Sequence, residues 1–230
     1  MDTFRVEHTP AEVVKAFPKA SDLFKEARID FCCGGDQPLQ AVFEKRQNID
    51  GQAVMDTLNK AYQEWQEAGH QNIDWTVVSH TELITHIVEH HHRYLEQELE
   101  PLSQFVTKIF RVHGHNHPHL KQLYQNFHTF KAEIEPHLVT EEQELFPLIR
   151  EYEQTGDAQL KRDIETLNDQ MEEEHQKVGE LLKDMRDLTN GFTPPEGACN
   201  SYRITYARLA ELETHTLQHI YLENHILFKS

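Results

Sequence analysis

The stretch "HLVTEEQELF", residues 137–146, has a counterpart in "HIYLENHILF", residues 219–228. Both read H-x-x-x-E-x-x-x-L-F. His and Glu four apart share one helix face and can reach a single metal site together. The spacing alone decides little, because H-x-x-x-E also occurs at His8 and His92. Only the copies at His137 and His219 carry the Leu-Phe pair eight residues on. Two helices presenting equivalent ligand pairs across a pseudo-symmetric core would produce that repeat. The competing reading is two unrelated amphipathic turns.

The flanking sequence says what such helices belong to. Four long amphipathic stretches cover roughly 79–112, 119–153, 159–189 and 199–228. They are separated by "HGHNHP", "QTGDA" and "NGFTPPEG", each with a Gly or Pro that ends helices. No alternating β-branched run is long enough for a strand. The expected fold is all-α, an up-down-up-down four-helix bundle over residues 79–230. Pro101, Pro136 and Pro147 fall inside these stretches and should kink the helices or mark ends. Residues 1–66 read as a small helical domain. In it "TPAEVVKAF" and "SDLFKEARI" each open with Thr or Ser as N-cap, and a third helix starts at Asp50 with Val54, Leu58, Ala61 and Trp65 on one face. The polar "EAGHQNIDW" lies in a linker, residues 67–78.

In an antiparallel bundle, heights count from alternate ends of successive helices. At about 1.5 Å per residue, His92, His137, His175 and His219 then fall in a layer roughly 10 Å thick. Glu141 and Glu223 join them near mid-height. Polar groups in a bundle core need partners, and a metal is the most economical one. Six mixed nitrogen and oxygen donors exceed what one tetrahedral zinc needs. They favour iron, manganese or zinc, with carboxylates able to bridge two ions, and a di-iron centre is the preferred expectation.

Composition narrows the function. Thirty-nine acids against 22 Lys and Arg give a formal charge of −17, which argues against a nucleic-acid or anionic-membrane partner. No apolar run is long enough to span a membrane. Three cysteines suit a reducing cytosol better than a disulfide framework, and the start "MDTFRVEHTP" lacks the features of a secretory signal, so a cytoplasmic location is expected.

Taken in order, "DFCCGG", "HIVEHHHRYLEQEL", "HLVTEEQELFPLI", "EEEHQKVGELL", "TPPEGACNSYR" and "HIYLENHILF" resemble the hemerythrin-like di-iron proteins known as repair of iron centres, or iron–sulfur cluster repair, proteins. The resemblance covers almost the whole chain. It implies iron ligands at His92, His137, Glu141, His175, His219 and Glu223, with the two glutamates as bridges between two iron ions. It also implies a role in restoring iron–sulfur clusters damaged by nitric oxide or oxidants, with damaged or apo iron–sulfur proteins as partners and a homodimer as one option. Alternatives are a hemerythrin-like carrier or sensor of oxygen or nitric oxide, a nitric oxide reductase at the two irons, and an acidic helical interaction protein without metal.

"HHH" at 90–92 leaves the first-helix ligand resting on register, since a regular helix turns only one of the three inward. His86, His90 and His215 read as supporting or surface residues, and "HGHNHPH" (113–119) as a solvated loop. Cys199 reads as a small buried hydrophobe. Cys32 and Cys33 stay open between two readings. One is a buried thiol with an incidental neighbour. The other is a thiol pair that ligates iron transiently, reacts with nitric oxide or closes a vicinal disulfide, and so acts as a redox or iron-transfer pair.

Overall fold

Buried residues along 164–185 recur with alternating spacings of four and three: Ile164, Asn168, Met171, His175, Val178, Leu182 and Met185. This is a bundle seam, and His175 and Asn168 stand where it calls for apolar side chains. The seam belongs to the third helix of a four-helix bundle. A computed structural model describes residues 3–46, 48–69 and 73–229, and among these there is no strand. The first bundle helix runs through α5 (His80–Ile87), a π-turn (Val88–His92) and α6 (Arg93–His113). The second comprises α7 (His119–Thr140), a π-turn (Glu141–Leu145) and α8 (Phe146–Thr155). The third is α9 (Ala158–Leu188), and the fourth is α10 (Asn200–Leu222) with a terminal π-turn (Glu223–Leu227). The first and second, second and third, and first and fourth helices pack side by side, as the up-down-up-down reading requires.

Local chemistry sets the helix ends. Ser79 and Glu82 form a capping box at α5, and the Asp157 side chain accepts from the first amides of α9. Gly156, at φ +64°, takes the left-handed conformation that closes α8. Pro101 and Pro136 lie inside α6 and α7, which continue through them, and Pro147 occupies the first turn of α8.

The N-terminal domain holds four helices where the sequence suggested three: α1 (Pro10–Ala16), α2 (Ala20–Glu26), α3 (Leu39–Lys45) and α4 (Gly51–Glu67). Thr9 caps α1 with a full capping box and Asp50 caps α4, as expected. Ser21 does not cap α2. That helix begins at Ala20 behind Lys19, and the Ser21 hydroxyl donates to the Pro18 carbonyl. Helix α3 escaped notice because it is only two turns long and opens behind Pro38 with no capping side chain. Residues 1, 2, 47, 70–72 and 230, including the centre of the expected linker, lie outside the described residues. Trp75, from the end of that linker, lies against His86 with ring centroids 4.2 Å apart.

The domain sits on the third and fourth bundle helices. Lys25 donates to Thr214 (2.6 Å), Arg28 pairs with Asp187 (2.9 Å), Tyr221 donates to the Ala11 carbonyl (3.0 Å) and Lys229 pairs with Asp36 (2.7 Å). Phe17, Phe24, Phe31 and Leu39 are fully buried beneath these contacts. Each such side chain contributes about 1.5–3 kcal/mol by leaving water.

Candidate metal centre

The repeated H-x-x-x-E-x-x-x-L-F segments share a backbone feature as well as a sequence. In both, a π-turn begins at the glutamate, Glu141 in one and Glu223 in the other. Such turns shift the register of the residues that follow and concentrate at functional sites. A third π-turn ends at His92. It explains a departure from the expectation that one histidine of 90–92 faces inward: His91 and His92 are both buried, and His90 is exposed.

His137, Glu141, His175, His219 and Glu223 form a fully buried cluster whose donor atoms all lie within 4.8 Å of one another. His92 completes its edge, with Nε2 3.4 Å from Glu141 Oε2 and 3.3 Å from His219 Nε2. The contacts divide into two halves. Glu141 Oε1 lies 3.0 Å from His137 Nε2 and 3.7 Å from His175 Nε2. Glu141 Oε2 lies 3.4 Å from both His92 and His219. Glu223 Oε2 is shared, 3.2 Å from His175 and 2.9 Å from His219.

Three of the imidazoles are oriented from behind. His92 Nδ1 meets Glu142 Oε1 at 3.0 Å, His137 Nδ1 meets Glu174 Oε2 at 2.8 Å, and His175 Nδ1 meets Asn224 Oδ1 at 2.8 Å. An Nδ1–H held by an acceptor leaves Nε2 as a lone pair, and all three Nε2 atoms face the cluster. Sequence reasoning missed these partners. Each of them adjoins a ligand candidate in sequence but serves a histidine on another helix.

Electrostatically the cluster calls for positive charge. Burial pushes the His175 imidazole down, but Glu141 and Glu223 outweigh it and raise its pKa to about 10. His219 is raised to about 9 by the same carboxylates, again against burial. Burial pushes the Glu141 carboxyl up, while His137 and His219 outweigh it and hold it well below the usual range. His92 alone goes down, through burial and the neighbouring His219. Among the described residues the buried carboxylate oxygens of Glu141 and Glu223 meet no donor besides the cluster's own imidazoles, and His219 Nδ1 is buried without a partner. Unsatisfied groups of this kind are too costly to bury for packing alone. Imidazole and carboxylate donors together fit a divalent cation of the iron, manganese or zinc class.

The remaining candidates are spread out. His86 and His90 stack at 4.2 Å on the outer side, and His215 stacks on Tyr94 at 3.8 Å while its Nδ1 meets His91 Nδ1 at 3.3 Å. Of the 113–119 tract, His113 and His119 belong to helices rather than a loop, and His119 Nε2 meets the Tyr206 hydroxyl at 3.0 Å. Cys199 is exposed, not buried as expected. It precedes the first turn of α10 with Sγ 3.3 Å from His113 Nε2. Cys32 is buried and Cys33 partly so, their sulfurs 3.6 Å apart, and both are free thiols. Cys33 Sγ lies 3.6 Å from the His175 carbonyl. The Cys32 carbonyl accepts from Asn224 Nδ2 at 3.1 Å and faces His225 Nε2 at 2.8 Å.

Comparison with known proteins places these features in context. The family profile described as the hemerythrin HHE cation binding domain matches residues 83–230, and a domain of unknown function, ScdA_N (DUF542), matches residues 7–62. The chain is 34% identical over 223 residues to the iron-sulfur cluster repair protein ScdA of Staphylococcus epidermidis, covering 97% of each. It is 34% identical to ScdA of Staphylococcus haemolyticus, with 96% of each covered. It is 36% identical over 214 residues to the iron-sulfur cluster repair protein YtfE of Yersinia pseudotuberculosis, covering 93% of this chain and 91% of that protein.

Proposed function

This chain belongs to the hemerythrin HHE cation-binding family, in the branch that carries an N-terminal ScdA_N domain, and from that premise we propose that it is an iron–sulfur cluster repair protein holding two iron ions. One observation carries the di-iron reading. The two oxygens of Glu141 address separate imidazole pairs, His137 with His175 and His92 with His219, while Glu223 touches one member of each. A carboxylate shared between two ions has this arrangement. His92, His137, Glu141, His175, His219 and Glu223 would hold the iron, with Glu141 and Glu223 the carboxylates placed to be shared.

Bound there, iron supplies an exchangeable, redox-active metal. The residues of the chain do the rest. Glu142, Glu174 and Asn224 keep protons on the outer ring nitrogens and the Nε2 lone pairs inward. The zero exposure of Glu141, Glu223, His92, His175 and His219 keeps bulk water from competing for the metal. Residues 1–66 act as the cysteine-bearing domain and 79–230 as the metal-holding bundle, joined by 67–78. Cys32 and Cys33 serve as the transfer thiols, a role supported by the 3.6 Å approach of Cys33 to the His175 carbonyl. Clients are cytoplasmic iron–sulfur proteins damaged by nitric oxide or oxidants, with nitric oxide or oxygen as the small ligand. The −17 charge disfavours nucleic acid and anionic membrane as partners, and no described helix is long and apolar enough to cross a membrane.

The test has two stages. Anaerobically purified protein is expected to carry two iron ions per chain. Mixed anaerobically with an apo iron–sulfur enzyme, the loaded protein is expected to restore that enzyme's activity. Absence of iron ends the reading. Iron without recovery, coupled to catalytic consumption of nitric oxide, replaces it with a reductase.

A further inference from the structure

We propose that Asp30, Cys32 and Cys33 form a second, open metal site, a three-donor cradle for a thiophilic divalent cation whose fourth position accepts a thiolate from the adjoining cavity. The proposal rests on the repair reading only for the identity of the natural cation, ferrous iron. The donor geometry stands on its own.

The donor atoms of the three residues lie within 4.8 Å of one another. The two sulfurs are 3.6 Å apart, and Cys32 Sγ is 3.6 Å from Asp30 Oδ1. A tetrahedral ion with metal–sulfur bonds of about 2.3 Å and a metal–oxygen bond of about 2.1 Å has edges of roughly 3.8 Å and 3.6 Å between those donors. The cradle matches these two of its three edges within about 0.2 Å, and the third donor pair lies within 4.8 Å.

Rigidity is built in by the loop. Asp30 Oδ1 accepts from the amides of Cys32 and Cys33, each at 3.0 Å, and Oδ2 accepts from Gly34 at 2.9 Å. The chain therefore wraps around the carboxylate that would serve as a ligand. The wrap needs its glycines. A Cβ at Gly35 would collide with the Phe31 carbonyl, and one at Gly34 would meet Asp30 Oδ2 at 3.0 Å. Donors held in place before the ion arrives are the main requirement of a functional metal site.

Access and connection follow from the docking of the domain on α9. Cys32 and Cys33 line a cavity of about 410 Å³ together with Arg46, Gln176, Gly179 and Lys183. Among the charged groups of its lining, Arg28 is paired with Asp187 and Arg186 with Glu213, while Lys183 and Arg46 stand beside the cysteines' side of the cavity with Glu180. Gly179 leaves the space Cys33 uses, since a Cβ there would stand 3.3 Å from its sulfur. Inward, Asn224 joins the Cys32 carbonyl to the His175 ring, so one residue separates this cradle from the buried cluster. Cation uptake converts two thiols to thiolates and releases two protons.

The experiment titrates the full-length reduced protein with Co²⁺ and follows the thiolate-to-cobalt charge-transfer band in the near ultraviolet. Ligation by the His/Glu cluster contributes nothing to that band. The expected result is a band that saturates at the intensity of one thiolate-bound cobalt per chain, beyond whatever the buried cluster takes up, lost in Cys32→Ser and in Cys33→Ser, unchanged in Cys199→Ser, and at least tenfold weaker in apparent affinity in Asp30→Asn. Added free thiol should intensify the band by filling the fourth position. A band that is absent, or that survives both Cys32→Ser and Cys33→Ser, overturns the proposal, as does an Asp30→Asn affinity equal to that of the wild type. Repair activity and buried-site iron content are read in parallel. No band with intact repair sinks this inference alone, and a band without repair sinks the repair reading alone.

Discussion

Replacing Asn224 by Leu removes a side chain that touches both the cysteine loop and the buried cluster. Asn224 is 7% exposed, accepts from His175 Nδ1 at 2.8 Å and donates to the Cys32 carbonyl at 3.1 Å. Leucine has the same branched shape and is somewhat larger, so no cavity opens. The Cys32 carbonyl keeps His225 as a partner, and the loss there is about 1 kcal/mol. The His175 Nδ1–H loses its acceptor inside the core, which costs about 1–3 kcal/mol. Added apolar burial returns about 1 kcal/mol. The net loss is about 2 kcal/mol, or roughly 4–8 °C in Tm for a chain of this size. Metal retention should fall about 10–100-fold, because the His175 ring is no longer fixed in the tautomer that aims Nε2 inward. Thermal unfolding by circular dichroism of metal-free protein and competition against a chelator measure the two effects separately. Asn224→Asp keeps an acceptor for His175 but sets an oxygen against the Cys32 carbonyl. It should preserve metal retention while disturbing the loop. An Asn224→Leu protein with unchanged Tm and unchanged iron retention would refute the link between loop and cluster.

Three further outcomes are expected. Glu213 is 2% exposed and binds Arg186 with both oxygens, Arg186 Nε to Oε1 at 2.7 Å, so Glu213→Ala should cost about 3 kcal/mol by leaving that guanidinium unpaired, measured by urea unfolding. Asn168 occupies a seam position with a buried, unpartnered Oδ1, and Asn168→Leu should stabilise by about 1 kcal/mol in the same assay; a loss of stability would mean the amide has a role the seam does not reveal. Burial, with a smaller contribution from His90, lowers the His86 pKa from 6.5 to about 4. The folded state thus binds its proton less readily than the unfolded chain, so this contribution to stability is complete above pH 6.5 and drains away as pH falls toward 4. His86→Phe, which keeps a ring beside Trp75, should flatten the stability-versus-pH curve across that window, and an unaltered curve would assign the slope to other groups.

Much of the fold was legible in the chain because helix information is local. The caps at Thr9 and Asp50, the separators around 114–118 and 156–157, and the apolar seams all depend on residues within a few turns of each other. The H-x-x-x-E-x-x-x-L-F repeat was legible for the same reason, and the bundle brings its two histidines and two glutamates together with His175. Short range also explains two misreadings. Helix α3 had too few turns to show a period, and Cys199, read without its surroundings, gave no sign that it would sit exposed beside His113.

What the sequence determined, then, is four helices long enough to bundle and the heights at which polar side chains enter their core, because periodicity and length suffice for both. Tertiary structure decided the rest. The burial of His91 with His92 needs a π-turn, whose insertion leaves no composition signal. Glu142, Glu174 and Asn224 orient histidines 37 to 50 residues away, and such pairings exist only after the helices have been laid side by side. The placing of Cys32 and Cys33 against His175 spans more than 140 residues of chain. Its cause is the docking of the small domain on α9 and α10, a contact between two surfaces that no local pattern encodes.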